Sequence, residues 1–407
     1  MRKWLWGLAI LLLVAGIGFF GFAPGYVESS MNRIDGKPLP KVSERAISLH
    51  KTLTIVDLHS DSLMWDRDIT ERASRGHMDL PRLQEGNVVL QLFSSVTKTP
   101  KGQNYDGNGA DTDNITLLTV AQLQPVKTWG SLVERSLFHA EKLKQATLKV
   151  ERLYQDNGYE PGWQIVKTSD ELGVIVGRSK NIGPHQGVRG AMLTIEGLHN
   201  LEGKASNLDR LYDAGFRMAG LTHFFDNELG GSMHGLKKGG LTPFGRDIVR
   251  RMEAKGMIVD IAHCSQQCVT EILAMARRPV VSSHGGVQAT CKVNRNLSDE
   301  HIRGVAKTGG IIGIGYWDAA ICDTSPASIA KAMKHVRDLV GIDHVALGSD
   351  SDGATTVRFD TSKLVQVTQA LIDTGFTDDE IRAVMGSNAL RVIREGLKPM
   401  AKAKPAA

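Results

Sequence analysis

Cysteine is scarce in this chain, with four among 407 residues. So few do not make a disulfide scaffold in a chain this long, and the absence of any C-x-x-C pair argues against a structural zinc ribbon. An excess of one charge is missing too. Lys and Arg number 49 against 44 Asp and Glu, a net charge of +5, which is too small and too scattered for a nucleic-acid partner. Long apolar runs are absent but for one, so a multi-span membrane protein is excluded. There is no internal repeat. With 42% hydrophobic and 23% charged residues the composition is globular, which excludes overall disorder and a collagen-like chain. The length exceeds the usual single domain of about 100–200 residues, yet fits one large (β/α)8 barrel, which runs to about 400 with insertions.

The one apolar run is Trp4–Ala23, WLWGLAILLLVAGIGFFGFA. About 20 apolar residues span a hydrocarbon core at 1.5 Å rise each. Arg2 and Lys3 precede the run and keep the short N-terminus cytoplasmic. Residues 1–23 therefore read as a signal anchor, with the bulk of the chain on the far side of the membrane. A cleaved signal peptide is the alternative. Its apolar region is usually about 7–15 residues and closes on small residues, whereas this run closes on Gly21-Phe22-Ala23-Pro24. No Cys comes after it, so lipoprotein processing is not indicated. Residues 24–45 read as a linker with Gly36, Pro38 and Pro40, residues 46–397 as the folded domain, and 398–407 (KPMAKAKPAA) as a basic disordered tail.

Eight short β-rich runs come after the linker: Leu53–Leu58, Val88–Phe93, Gly190–Ile195, Phe216–Leu221, Met257–Ala262, Pro279–Ser283, Gly310–Gly315 and His344–Gly348. Helical patterns lie between most of them. Pro243–Lys255 stops at Gly256, Gln266–Ala276 comes next, and Ser325–Val340 closes on Gly341. Thr377–Gly386 opens with Thr377 and Glu380 spaced as a capping box. Strand and helix alternating eight times predict a parallel α/β barrel, the (β/α)8 or TIM type, over an open sheet. Thr97–Gly187 is too long for one connection. Ser131–Gln155 within it reads as a helix, and polar, Gly/Asn-rich Thr97–Asp113 as a loop over the barrel mouth.

The residues just past the end of each run carry the chemistry. Strand one ends in His59-Ser60-Asp61, strand three in Glu196, strand four in His223, strand five in His263, strand six in His284 and strand eight in Asp350. A lone histidine after a strand is most often a hydrogen-bonded structural group. Six strand ends of a parallel barrel, however, meet at one face, where such folds place their chemistry. Residues i and i+2 of a strand share a side, so His59 and Asp61 can hold one metal together. Glu196, with two oxygens, can bridge two metals, and His263 and His284 complete the second. Three histidines, one aspartate and a shared glutamate suit a borderline ion such as zinc with positions open to water. Metals about 3.5–4 Å apart can hold a hydroxide nucleophile and clamp an acyl carbonyl. Cys264, beside His263, is not needed; Cys264 and Cys268 read as buried thiols.

In this order, these residues resemble the membrane dipeptidase (renal dipeptidase-like) family, peptidase family M19, of the binuclear metal-dependent hydrolase barrels. The likeness runs from about Ile47 to Leu397. It is carried by VDLHSDSL (56–63), HMDLPRLQEGNV (77–88), TIEGLHN (194–200), GLTHFFDN (220–227), GLTPFG (240–245), VDIAHCS (259–265), PVVSSHGG (279–286), NRNLSDEHIR (294–303), ALGSDSDG (346–353) and GSNALRV (386–392).

The resemblance implies a zinc-dependent dipeptidase with two zinc ions per chain, other divalent metals being alternatives. His59, Asp61 and Glu196 would hold one, and Glu196, His263 and His284 the other. His223 would stabilise charge developing on the substrate's carbonyl oxygen. Arg295 would pair with the dipeptide's carboxylate, and Asp350 would move a proton from water to the leaving amine. Asp352 is a rival to Asp350. Another amide, ester or lactone hydrolase on the same barrel is the alternative activity, and an inactive membrane-anchored binding protein a remoter one. Leu198, Gly285-Gly286 and Ser351 depart from the family pattern and bear on substrate choice. Cys291 and Cys322 come after neighbouring strands, and the resemblance places a disulfide about here in some members. A homodimer is implied on the same ground. The anchor leads to the expectation of a bacterial cell-membrane protein with its catalytic domain in the periplasm.

Overall fold

The eight expected runs form eight parallel strands: β1 (Ile55–Asp57), β2 (Val88–Val96), β3 (Arg189–Glu196), β4 (Phe216–Gly220), β5 (Ile258–Asp260), β6 (Val281–Ser282), β7 (Ile311–Ile314) and β8 (Val345–Leu347). Each pairs with the next, and β8 returns to β1 through Leu347 and Asp57, so the sheet closes into a barrel. The computed structural model describes residues 2–156, 162–179 and 188–398; the expected tail beyond Lys398 lies outside them. Every residue of the eight strands is buried. A barrel wall filled inside and covered by helices outside requires this, which is why the strands read as nearly unbroken apolar runs.

The expected helices lie close to their sequence signals. Pro243–Lys255 starts at Thr242, whose side chain accepts from Gly245 N, and stops at Gly256 with φ +75°. Gln266–Met275 and Pro326–Val340 come next, the latter capped by Ser325. The capping box of Thr377 and Glu380 forms, and the helix it opens passes through a π-type turn into Asn388–Gly396. Asn388 and Arg391 donate to carbonyls just before or at the start of β7 and β8, so this helix closes the N-terminal end of the barrel. The long insertion carries the helix Leu132–Asp156 and an extra strand, Trp163–Ile165, beside the start of β3.

The N-terminal segment departs from the sequence reading. Its helix does not stop at Ala23 but runs unbroken over Lys3–Met31, long and apolar enough to cross a membrane. A π-type turn at Ile17–Phe22 precedes Pro24, which has no N–H to give to the ladder. Glu28 is buried and accepts from Nε of Arg67 and of Arg75, both at 2.6 Å. Asn32 Oδ1 accepts from Ala354 N at 2.9 Å, and Arg33–Ile34 pairs in parallel with Thr356–Val357. The expected linker is thus fastened at its start to the loop after β8. Its polar residues gave no periodic signal because their partners lie far along the chain.

Candidate active site and metal centre

Two buried aspartates set the strand ends. Asp57 accepts from His59 N (3.1 Å), Gln91 Nε2 (3.0 Å), Ser349 N (3.1 Å) and Ser349 Oγ (2.9 Å), which ties β1, β2 and β8 together. Asp260 does the same for β5 and β6, accepting from Ala262 N (3.0 Å), Ser283 N (2.9 Å) and Ser283 Oγ (2.5 Å). Burial raises both carboxyls above their ordinary range, and these donors work against it. Ser283 Oγ also lies 2.8 Å from His284 Nδ1. With its own proton given to Asp260, the hydroxyl can only accept there. His284 then carries its proton on Nδ1 and turns the Nε2 lone pair to the site, as in carboxylate-oriented metal histidines.

Glu196 stands at the centre. Its Oε1 is 2.6 Å from His263 Nε2, 3.1 Å from His284 Nε2 and 3.6 Å from His223 Nε2, while its Oε2 is 3.4 Å from His59 Nε2. Asp61 and Asp350 approach the same His59 nitrogen at 3.4 and 3.9 Å. Three overlapping groups have ligand atoms within 4.8 Å of one another: His59, Glu196 and His284; Glu196, His223 and His263; and His59, Asp61 and Asp350. The structure thus brings all seven strand-end residues together, and His223 and Asp350 share ligand-atom groups with the five expected metal ligands.

The residues fit a divalent metal. The Nε2 atoms of His263 and His284 face each other at 3.0 Å, an arrangement of lone pairs that needs a proton or a cation between them. His59 Nε2 faces three carboxylates without hydrogen-bonding geometry to any of them, and Asp61 Oδ1 also makes no hydrogen bond among the described residues. Burial, helped by Arg295 at His263 and by His59 at His284, pushes both histidines well below their ordinary value, toward the neutral form that binds metals. Burial opposes charge on His59, yet Asp61 and Glu196 outweigh it and pull this ring well up. The pocket around it draws positive charge.

His263 (φ +64°) and Asp350 (φ +58°) hold left-handed backbone conformations. Such strain in non-glycine residues collects at functional sites. Burial, with the anionic Asp61 and Glu196 nearby, holds Asp350 well above the carboxylate range. The two late aspartates are separated by their contacts. Asp352 is spent on Arg67, Ser62 Oγ and His77 N, whereas Asp350 lines the site cavity. Any side chain at Gly353 would run into the carboxylates of Asp350 and Asp61.

Arg295 is buried, donates to His284 O at 3.1 Å and lies 5.4 Å from the Trp317 ring. Among the described residues no carboxylate lies within 4.0 Å of it, and it lines the cavity. Cys291 and Cys322 form a disulfide, with Cα atoms 5.3 Å apart, and Asn296 donates to Cys291 O and Ala320 O. Together they hold the Arg295 segment to the turn after β7. Cys264 and Cys268 are free and buried.

The cavity measures about 610 Å³, with Asp61, Glu196, His223, His263, Arg295 and Asp350 on its floor. Tyr105, from the loop expected over the mouth, Phe224 and Trp317 also line it. Nothing in the sequence singled out these aromatics, since one aromatic in a loop carries no pattern. Leu198, Gly285, Gly286 and Ser351, expected to shape substrate choice, do not line the cavity. A side chain at Gly285 would press on Arg295 at 3.2 Å, so its effect passes through the arginine.

Comparison with known proteins places the chain among dipeptidases. The chain is 29% identical over 406 residues to the dipeptidase aclJ of Aspergillus oryzae, covering 94% of this chain and 86% of that protein. It is 27% identical to the dipeptidase tcpJ of Claviceps purpurea, covering 79% of this chain and 69% of that protein. The fold matches the crystal structure of the probable dipeptidase PvdM of Pseudomonas aeruginosa, with TM-score 0.70, 18% identity and coverage of 88% and 98%. It also matches a metallopeptidase of Rhodobacter sphaeroides liganded with a phosphinate mimic of the dipeptide L-Ala-D-Ala, with TM-score 0.65, 18% identity and coverage of 85% and 99%. The model of the membrane dipeptidases matches residues 43–404, and the chain belongs to this family, the metallo-dipeptidases of peptidase family M19.

Proposed function

We propose that this dipeptidase works with two divalent metals, zinc by preference, held by His59, Asp61 and Glu196 on one side and by Glu196, His263 and His284 on the other. The observation that carries the reading is Glu196, whose two oxygens face His59 and the other histidines separately. Metals there supply a nucleophile from water at neutral pH and polarise the scissile carbonyl. Arg295, a buried cation that makes no ion pair within 4.0 Å among the described residues, binds the dipeptide's C-terminal carboxylate through its planar fork. His223 steadies negative charge on the carbonyl oxygen as the water oxygen bonds to the carbonyl carbon. Asp350, whose carboxyl burial and the anionic Asp61 and Glu196 hold well above its ordinary range, takes a proton from the attacking water and gives it to the amine as the C–N bond breaks. The neighbour bound to a phosphinate dipeptide mimic supports the same substrate class.

The exposed apolar helix Lys3–Met31 supports a single-pass anchor, with the barrel on the extracytoplasmic side of a bacterial cell membrane. N-terminal sequencing and carbonate extraction test it: a mature chain starting after Ala23 and released by carbonate overturns the anchor. Light scattering tests the homodimer.

The chemistry is tested by metal content and turnover of the full chain in detergent, on L,L, L,D and C-terminally amidated dipeptides. The expected result is about two metals per chain, with chelator-sensitive cleavage of free-carboxylate dipeptides alone. Equal cleavage of the amides overturns the role of Arg295. Absence of bound metal, with no activity on adding zinc, overturns the centre.

A further inference from the structure

The cavity of about 610 Å³ reaches well beyond the ligand cluster, and one of its walls is the chain's own N-terminal helix. Phe19, Ala23, Val27 and Met31 all line it. They lie four residues apart, so they form one stripe on one face of the helix. The helix Ile115–Ala121 stands opposite, and its Leu118 packs with Val27 against Met64, Trp65 and Val96. Outside the floor residues, none of the described residues lining the cavity carries a charge.

The foot of the helix is held in place by contacts of its own. Glu28 is clamped between Arg67 and Arg75, Asn32 bonds to Ala354, and Arg33–Ile34 pairs with Thr356–Val357. These contacts also fix which side of the site the apolar chamber occupies. Ala354 and Thr355 belong to the loop that carries Asp350, and Trp65 Nε1 donates to Asp352 O in that loop. Arg295 lies across the site, against His284 O and Trp317. A dipeptide with its carboxylate on Arg295 and its scissile carbonyl at Glu196 and His223 therefore points its amino-terminal residue toward the helix.

We infer that the foot of the N-terminal helix is a substrate-binding element, in which Ala23, Val27 and Met31 select for a large apolar side chain on the amino-terminal residue of the dipeptide. This rests on the orientation given by Arg295 under the proposed function. It makes the apolar segment part of the catalytic domain as well as a membrane span. The chamber then opens beside the membrane surface.

The test uses the full chain in detergent and two substitutions of opposite sense. Val27→Ala enlarges the chamber and Ala23→Leu contracts it. The readout is the ratio of kcat/KM for Phe-Ala to that for Ala-Ala. In the unaltered chain the ratio is expected to exceed about tenfold, the scale of discrimination by an apolar pocket. Ala23→Leu lowers this ratio by about tenfold, mainly through KM for Phe-Ala. Val27→Ala moves selectivity the other way, toward naphthylalanyl-Ala over Phe-Ala. Partial unfolding lowers all substrates together and cannot shift selectivity in two directions. A near-unit ratio in the unaltered chain, or ratios that ignore both substitutions, overturns the inference. So does preference for Nα-acylated dipeptides over free amines. Failure to cleave any dipeptide overturns the proposed function instead.

Discussion

The barrel mouth and the N-terminal arm border the same cavity but are built differently. At the mouth the candidate ligands and Asp350 stand at or within a few residues of the end of a buried strand, and closure of the sheet brings the ends together. In the arm, Glu28 depends on Arg67 and Asn32 on Ala354, 322 residues away. The mouth is a local pattern repeated around a ring, whereas the arm is a set of long-range fastenings. Chemistry can therefore be specified strand by strand, but the wall that confines the substrate depends on tertiary contacts.

The largest effect should come from the mouth. Glu196→Gln removes the shared anionic ligand while keeping its shape. Metal content is expected to fall and kcat/KM to drop at least about 10³-fold, the scale of losing a main electrostatic stabiliser, while circular dichroism and the arm's resistance to protease stay unchanged. An unaltered metal content would show that Glu196 is not the bridge.

Glu28→Ala breaks the arm and spares the mouth. It leaves the buried Arg67 with one fewer counter-charge, a change expected to cost about 3 kcal/mol. Differential scanning calorimetry should show a lower Tm, and limited proteolysis should cut first within residues 24–42, with metal content intact. If metal is lost as well, the two regions are not separable.

Arg295→Lys sharpens the comparison at the point where mouth and substrate meet. A lysine keeps the charge but loses the fork. The loss expected is about 100-fold in kcat/KM for free-carboxylate dipeptides, with no further loss for amidated ones. A pure kcat loss at constant KM would place Arg295 in orientation of the centre instead of in carboxylate binding.

The smallest effect concerns the join between arm and barrel. His50, on the helix Glu44–Lys51, is bonded to Thr368 Oγ1 and Gly86 O, and burial pushes it down to about 4. Below about pH 6.5 the unfolded chain binds a proton that folded His50 refuses, so stability falls with pH until about pH 4. At pH 5 the loss is about 2 kcal/mol. His50→Gln should flatten the fall of Tm between pH 7 and 5; an unchanged slope would assign it to other groups.

Much of this was legible in the residues. The eight strands lie within the eight β-rich runs or extend them slightly, because a wall buried on both sides must be apolar along its length. The capping box at Thr377 and the stop at Gly256 could be read because capping is settled within a turn. The convergence of His59, Asp61, Glu196, His223, His263, His284 and Asp350 came from strand order alone. The docked arm, the extra strand Trp163–Ile165 and the aromatic lining were not legible. Each depends on a partner distant in sequence, and none leaves a periodic trace.

Asp350 and Asp352 show where the division falls. The sequence placed both at the same strand end, two residues apart and chemically alike. Their fates were decided by Arg67 and Ser62, which claim Asp352 and leave Asp350 facing the cavity. The sequence by itself determined the barrel, the ring of candidate ligands and the apolar helix, because periodicity and strand ends are local properties. Only the tertiary structure decided which aspartate meets the site and that the helix walls it, because a buried charge takes whichever counter-charge the fold brings within reach.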